Sequence, residues 1–193
     1  TSDAKYIQRF RCLSCGSEFS QATHHPCVHQ KKRQANETVR RLLASGMTQR
    51  RIAIVLKLNR KTVVRKFLFL GMQSKKRWEV SNRAKPKAST IEFDDLETFE
   101  HTKCKPLSVT LVVEHGSRRI LGLKVSSMPS RGPLAQRSRQ KYGPRADERR
   151  AARRELFGEI EDLIQPNATI KSDQNPHYAS DVKRFFPSAK HER

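Results

Sequence analysis

The spacing of hydrophobic residues between positions 36 and 70 predicts three short helices. In the first, Val39 and Leu42 recur at helical spacing, and Gly46 marks the end. The second helix is predicted to begin after Thr48 and the third after Asn59, since both residue types are favoured N-caps. The short turn between the second and third helices predicts a helix-turn-helix.

The same pattern sorts the side chains of these helices into an inner and an outer face. Ile52, Val55 and Leu56 of the second helix are expected to face inward, as are Val63 and Phe67 of the third. The predicted outer face of the third helix is basic and hydroxylic: Arg60, Lys61, Thr62, Arg65 and Lys66. Such side chains reach base edges and phosphates in the DNA major groove, so these five residues are the predicted DNA contacts. The alternative is a basic helical hairpin that only packs against the rest of the chain.

From Ser89 onward the hydrophobic pattern becomes that of β-strands. Strands are predicted over 91–96, 107–114 and 119–125, followed by a helix over about 146–164, a strand over 168–173 and a helix near 177–186. The order β-β-β-α-β-α predicts an α/β fold with helices on both sides of the sheet.

Between the two patterns lies a polar, basic stretch over 73–89. It contains Pro86 and shows no apolar period, which is typical of a linker. The predicted organisation is a cysteine-containing segment over 1–30, a small all-α helix-turn-helix domain over 31–72, the basic linker over 73–89 and the α/β domain over 90–193.

The charge of the chain favours a polyanionic partner, above all nucleic acid. Forty Lys and Arg face nineteen Asp and Glu, which gives a net charge of +21. Residues 1–90 hold 21 of the basic and only 4 of the acidic residues. No apolar run approaches the roughly 18 residues that a membrane-spanning helix needs. With no secretory signal at its N-terminus, the chain is expected in the cytoplasm, associated with the nucleoid.

Cys12 and Cys15 stand in a Cys-x-x-Cys-Gly sequence, a spacing that lets two thiolates reach one Zn²⁺ ion. Three alternatives remain open: a zinc ribbon whose other cysteine pair precedes Thr1, a complete local site, or no metal. The local site would draw its other ligands from four downstream residues: His24, His25, Cys27 and His29.

Acidic residues lie at the ends of two predicted strands. Asp94 and Asp95 belong to the first strand of the α/β domain, and Asp173 ends the fourth. Ligands of α/β sheets bind at such strand ends, and carboxylates there hold metal ions. The alternatives are a solvated strand end for the first pair and an Asx turn or helix cap before Pro176 for Asp173.

Taken together, the cysteine knuckle, the helix-turn-helix, the linker, EFDDLETF over 92–99 and IKSDQNPHY over 170–178 resemble a prokaryotic insertion-sequence transposase of the DDE type. The resemblance covers almost the whole chain and implies a ribonuclease H-like mixed sheet over 90–193. It implies that Asp94, with Asp95 in reserve, and Asp173 bind Mg²⁺ or Mn²⁺ as catalytic acids. It also implies a third acid on a helix after a fifth strand. The chain ends at Arg193, where that strand would begin, so we expect a truncated core that is inactive alone.

The function implied by the resemblance is DNA strand cleavage and transfer by a homo-oligomer bound to the terminal repeats of a mobile element. A second basic patch over 131–154, which includes Arg149 and Arg150, is predicted to bind the DNA backbone. Its alternative is a mobile loop. Two other functions remain open: a sequence-specific DNA-binding regulator with an inactive back half, and a different two-metal nuclease.

Overall fold

The structure of the chain is a computed structural model that describes residues 8–28 and 30–193. It divides into two units between Trp78 and Glu79. Across the described parts of the chain, every helix is too short or too polar to span a lipid bilayer.

The first unit begins with a small antiparallel hairpin of β1 (Arg9–Arg11) and β2 (Glu18–Ser20), followed by a 3₁₀ turn over Gln21–His24. The rings of Phe10 and Phe19 stack across the strand pair with their centroids 5.5 Å apart. Gly16 has a φ of +71°, a conformation that favours glycine, and its amide donates to the Cys12 carbonyl. The backbone therefore reverses its direction directly after Cys15.

Three helices follow, as predicted: α1 (Ala35–Ala44), α2 (Gln49–Val55) and α3 (Arg60–Arg83). The Thr48 hydroxyl accepts a hydrogen bond from the Arg51 amide, and Asn59 Oδ1 accepts one from the Lys61 amide at 2.9 Å. Both side chains therefore accept hydrogen bonds from backbone amides that have no partner within the first turn of the helix. The predicted helix starts are confirmed.

The core of these helices consists of Val39, Ile52, Ala53 and Val63, with Leu56 packed against it. Two side chains that were expected to face inward do not: Val55 is 51% and Phe67 43% exposed. On these two helices, Ile52 and Val63 occupy the core positions instead.

The division between the two units falls within the stretch predicted as a linker over 73–89, but this stretch is not irregular, because α3 continues to Arg83 and the next strand begins at Ala88. Residues 73–83 contain no Gly or Pro, and Gln, Lys, Arg and Glu are good helix formers even without an apolar stripe. The helix ends shortly before Pro86, which cannot continue it. Only four residues, 84–87, separate helix from strand.

The second unit is built on a five-stranded sheet of β3 (Ala88–Phe99), β4 (Pro106–Glu114), β5 (Ile120–Ser127), β6 (Ile164–Lys171) and β7 (Lys190–Glu192). The strand order is β5-β4-β3-β6-β7, in which β3, β4 and β5 are antiparallel and β6 and β7 are parallel to β3. The mixed α/β architecture is therefore confirmed.

Three helices accompany the sheet: α4 (Leu134–Tyr142), α5 (Arg149–Ile160) and α6 (Pro176–Phe185). Phe93 and Tyr178 form part of the core, together with residues of α5. Helix α5 approaches β5 so closely that a Cβ on Gly122 would lie 2.5 Å from Leu156 Cδ1. Helix α4 was not predicted. Its flanking Gly-Pro pairs, at 132–133 and 143–144, are typical of a loop.

Candidate functional site

The start of α3 presents a basic surface, here called the α3 surface, made of Arg60, Lys61 and Arg65. All three residues are exposed, and Thr62 is half-buried beside them. No Asp or Glu occurs in the sequence between Glu37 and Glu79. Helix α2 and the part of α3 that precedes Glu79 therefore carry no acidic residue.

Lys66 does not belong to this surface, so its predicted exposure and role as a DNA contact are wrong. The residue is 2% exposed. Its Nζ donates to Asn36 Oδ1 at 2.6 Å and to the Lys32 carbonyl at 2.9 Å. Burial lowers the pKa of Lys66, and the charge of Cys27 opposes that effect. The ammonium thus joins α3 to the segment that precedes α1.

Cys12 and Cys15 lie next to each other, since a hydrogen bond with the Cys12 side chain is among the contacts of the Cys15 thiol, whereas Cys27 has a different partner. The Sγ of Cys15 lies 3.3 Å from Ser17 Oγ, and hydrogen bonds, first from Ser17, lower the pKa of the Cys15 thiol. Cys27 instead accepts a hydrogen bond from Asn36 Nδ2 on α1. Within residues 8–28 and 30–193, no three His, Cys, Asp or Glu side chains form a metal-binding group. His29, one of the proposed ligands, lies outside the described residues.

The two acids of β3 point to opposite faces of the sheet, because side chains alternate along a strand. Ile91 and Phe93 are buried against the helices, which places Asp95 on that face and leaves Asp94 exposed on the other. Asp94 accepts a hydrogen bond from the Asp95 amide. The structure therefore does not bring Asp94 to Asp173, and Asp95, the reserve residue, takes its place.

Asp173 follows β6 in a turn that leads into α6. Its Oδ1 accepts a hydrogen bond from the Asn175 amide at 3.1 Å, which is an Asx turn. Asn175 in turn caps α6 by accepting from the His177 amide, and Pro176 occupies the first turn. The turn foreseen as an alternative is present, and it uses one carboxylate oxygen of Asp173.

Because β3 and β6 are adjacent and parallel, Asp95 and Asp173 line the same pocket, which has a volume of about 530 Å³. Residues from the starts of α5 and α6 complete its walls. The other lining residues are Arg131, Asp147, Arg149, Arg150, Arg153, Asn175, Pro176 and His177. The pocket thus combines carboxylates with an excess of guanidinium groups.

Three side chains bind the Asp95 carboxylate. The Thr110 hydroxyl donates to Oδ1, Arg153 Nη1 donates to Oδ2 at 3.2 Å, and the Tyr178 hydroxyl is hydrogen-bonded to the same carboxylate. Tyr178 is 1% exposed, and burial followed by the hydrogen bond with Asp95 raises the pKa of Tyr178. Asp95 is therefore held in a fixed position next to a positive charge.

Behind Asp95 lies a group that we call the Asp181 cluster: Asp181 and the three arginines around it, Arg150, Arg153 and Arg154. Asp181 is fully buried. Its Oδ2 accepts from Arg153 Nη2 at 2.8 Å, and its Oδ1 accepts from Arg154 Nε at 2.7 Å. Burial raises the pKa of Asp181, but the hydrogen bonds and charges of Arg154 and Arg153 outweigh burial and lower it.

The basic patch predicted over 131–154 is only partly a surface. Arg153 is buried, and Arg145 donates to the carbonyls of Met128 and Pro106. Arg149 Nε donates to Asp147 Oδ1 at 2.8 Å, and this contact lowers the pKa of Asp147. Arg150 lies at the edge of the pocket with about half of its side chain exposed. Most of these arginines therefore have partners within the unit.

Magnesium is bound in proteins by one or two carboxylates together with waters and substrate phosphates. Asp95 and Asp173 supply two carboxylates in one pocket, so the residues present fit an ion of this kind, Mg²⁺ or Mn²⁺. Among the described residues they do not form a metal-binding group of three, and Arg149 binds the third pocket acid, Asp147. The ion would need oxygen ligands from its substrate.

Of the residues that surround Asp95, Thr110, Tyr178 and Asp181 were not predicted as site residues, and Arg153 was predicted only as part of the basic patch over 131–154. The choice between the two acids of β3 did have a signal, because Phe93 and Asp95 are two positions apart and must share a face. A comparison with protein-family models and a search of curated proteins both find no match for this chain.

Proposed function

We propose that this chain acts in DNA transposition, as a DDE-type insertion-sequence transposase with a ribonuclease H-like core. The observation that carries the proposal is that β3 and β6 lie side by side, with Asp95 and Asp173 in one pocket. Catalytic acids on the first and fourth strands of such a core require this adjacency. The helix-turn-helix in the same chain supports DNA as the substrate.

In this proposal the α3 surface binds double-stranded DNA at the terminal repeats of the element. Arg60, Lys61 and Arg65 supply base and phosphate contacts, and half-buried Thr62 supplies a hydroxyl. Arg150 and Arg131, at the pocket, bind the phosphodiester backbone near the reacting phosphate. The resemblance further implies a homo-oligomer on DNA.

Asp95 and Asp173 would hold Mg²⁺ or Mn²⁺, which would supply positive charge to stabilise an in-line displacement at phosphorus. Thr110 and Tyr178 keep the Asp95 carboxylate oriented, and the Asx turn keeps that of Asp173 oriented. With two pocket acids, we expect cation binding but no efficient strand cleavage by this chain alone.

A second function, a DNA-binding regulator with an inactive back half, is favoured by one observation. Arg153 and Arg149 neutralise Asp95 and Asp147, two of the three acids of the pocket. In a regulator, Asp173→Asn would leave DNA binding and its control intact.

The test has two parts on the full chain. The first is binding of labelled duplex DNA in a salt series, for the unmodified chain and for Arg60→Ala with Arg65→Ala. We expect the double variant to bind more weakly with a flatter salt dependence. No duplex binding, or equal binding by both proteins, would overturn the DNA-binding half.

The second part is Mn²⁺ binding measured by electron paramagnetic resonance. Asp173→Asn should weaken it, whereas the matched control Asp162→Asn, an exposed acid near Arg83 and outside the pocket, should not. Equal Mn²⁺ affinity of both variants would overturn the catalytic half and favour the regulator.

A further inference from the structure

The Asp181 cluster contains more positive than negative charge, and Arg153 connects it to the pocket. Three guanidinium groups surround the single carboxylate of Asp181: Arg150 at 3.5 Å, Arg153 at 2.8 Å and Arg154 at 2.7 Å. Of these three, Arg153 also reaches Asp95. Arg153 therefore spans two carboxylates from different elements.

The two ends of the Arg153 guanidinium are held differently. Nε and Nη2 both donate to Asp181 Oδ2, at 3.1 and 2.8 Å, whereas Nη1 alone donates to Asp95 Oδ2, at 3.2 Å. The guanidinium carbon also lies 4.5 Å from the centroid of the Tyr178 ring. The contact with Asp95 is the single, longer one, so it can be lost while Arg153 remains bound to Asp181.

A guanidinium N–H and a divalent cation compete for the same carboxylate oxygen. Arg153 already donates to Oδ2 of Asp95, and Thr110 donates to Oδ1. A hydroxyl can turn its proton away and accept instead, but a guanidinium carries only donors and keeps its charge. Arg153 is therefore the obstacle to cation binding at Asp95.

We propose that Arg153 is a positioning residue that competes with the divalent cation for the Asp95 carboxylate and so sets the cation affinity of the pocket. This inference rests on the proposed function, in which Asp95 and Asp173 bind the cation. A phosphate group that enters the pocket and attracts the guanidinium groups would release Asp95, which couples cation binding to the presence of nucleic acid.

The cluster itself offers a matched pair of variants. Arg153→Gln and Arg154→Gln each remove one guanidinium from Asp181, and in both variants two arginines remain beside it. Only the first variant frees Asp95. The experiment is a Mn²⁺ titration of the full chain, followed by electron paramagnetic resonance of the free ion.

We expect Arg153→Gln to bind Mn²⁺ roughly ten- to a hundredfold more tightly than the unmodified chain, the range typical of changes to residues that contact a metal ligand. Arg154→Gln should bind it within about twofold of the unmodified chain, since it does not touch Asp95. Adding Asp95→Asn to Arg153→Gln should abolish the gain. Equal affinities of the Arg153→Gln and Arg154→Gln variants would overturn the inference.

Arg153→Lys keeps the experiment decisive if the Gln variant does not fold. Lysine keeps the charge but cannot span two carboxylates with a planar fork. An increase in Mn²⁺ affinity smaller than that expected for Gln supports the inference, and an unchanged affinity overturns it.

The outcomes separate this inference from the proposed function. If Asp173→Asn weakens Mn²⁺ binding but no Arg153 variant strengthens it, the inference fails and the proposed function stands. If neither Asp95→Asn nor Asp173→Asn changes Mn²⁺ binding in any of these backgrounds, the catalytic half of the proposed function fails, and the inference fails with it.

Discussion

Arg65, near the start of α3, is exposed on a segment without acidic residues, whereas Arg153, in α5, is 2% exposed and bonded to two carboxylates. Arginine is thus part of an exposed surface in the first unit and of an internal ion-pair cluster in the second. A high density of arginine in the sequence therefore does not distinguish an exposed basic surface from an internal ion-pair cluster, and the acids nearby decide between the two. Removing single charges from each region tests this difference.

The largest effect is expected for Asp181→Asn, because the substitution leaves three guanidinium groups around a neutral, fully buried side chain. Breaking a buried ion pair by removing one partner costs about 3–5 kcal/mol. Urea denaturation of the second unit should show this loss. The exposed Asp162→Asn is the control and should change the free energy of unfolding by less than about 0.5 kcal/mol. Similar losses for both variants would contradict an internal role for the cluster.

Lowering the pH is expected to remove the contribution of Asp181 to the free energy of unfolding. The pKa of Asp181 in the folded chain lies below its unfolded value of about 3.9, so its contribution to stability is fully present above that pH and is lost as the pH falls through the folded value. The difference in unfolding free energy between the unmodified chain and Asp181→Asn should therefore shrink below about pH 4. A difference that stays constant down to the acid transition would contradict this account.

Lys66→Met tests the one basic residue at the start of α3 that is buried. Methionine preserves the length of the side chain but leaves Asn36 Oδ1 and the Lys32 carbonyl without their donor, which costs about 1–3 kcal/mol. Thermal unfolding of the first unit should report the loss. Because the ammonium is buried, the salt dependence of DNA binding should not change. A flatter salt dependence would place Lys66 at the DNA after all.

Arg65→Ala is the counterpart on the open surface. We expect little change in thermal stability and a loss of about 1–3 kcal/mol in the discrimination between a preferred site and random duplex. Competition binding with the two DNAs measures the discrimination. An equal loss of affinity for both DNAs would assign Arg65 to phosphate contacts alone.

The smallest effect is expected for Arg150→Ala, because Arg150 is half-exposed and already 3.5 Å from Asp181. Its loss should weaken binding to all duplexes alike and lower the salt slope by about 1. A change in sequence preference in this variant would contradict the assignment of sequence recognition to the α3 surface and of backbone binding to Arg150.

The sequence predicted the parts of the fold that local chemistry determines. Thr48, Asn59 and Gly46 marked helix boundaries because caps act within a few residues. The length of α3 was missed because residues 73–83 have high helix propensity but no apolar stripe, and a polar sequence without an apolar period is also typical of a linker. Helix α4 was missed because Gly-Pro pairs flank it.

The site was harder to predict than the fold because it depends on residues that are distant in the sequence. Asp95 could be preferred over Asp94 from the alternation with Phe93, but the burial of Arg153 depends on Asp181, 28 positions further along the chain and on another helix. A run of arginines gives no sign of which member meets a carboxylate. The predicted DNA contacts at Arg60, Lys61, Thr62, Arg65, Arg149 and Arg150 stay predictions, whereas Lys66 is excluded.

The most direct test of the central claim is an enrichment of random-sequence duplexes by the full chain, repeated with Arg65→Ala and with Arg150→Ala. If the α3 surface recognises sequence, the unmodified chain will enrich a defined motif, Arg65→Ala will degrade this motif, and Arg150→Ala will enrich the same motif with a lower yield. Enrichment of no motif by the unmodified chain, or loss of the motif in both variants alike, would contradict sequence recognition by the α3 surface.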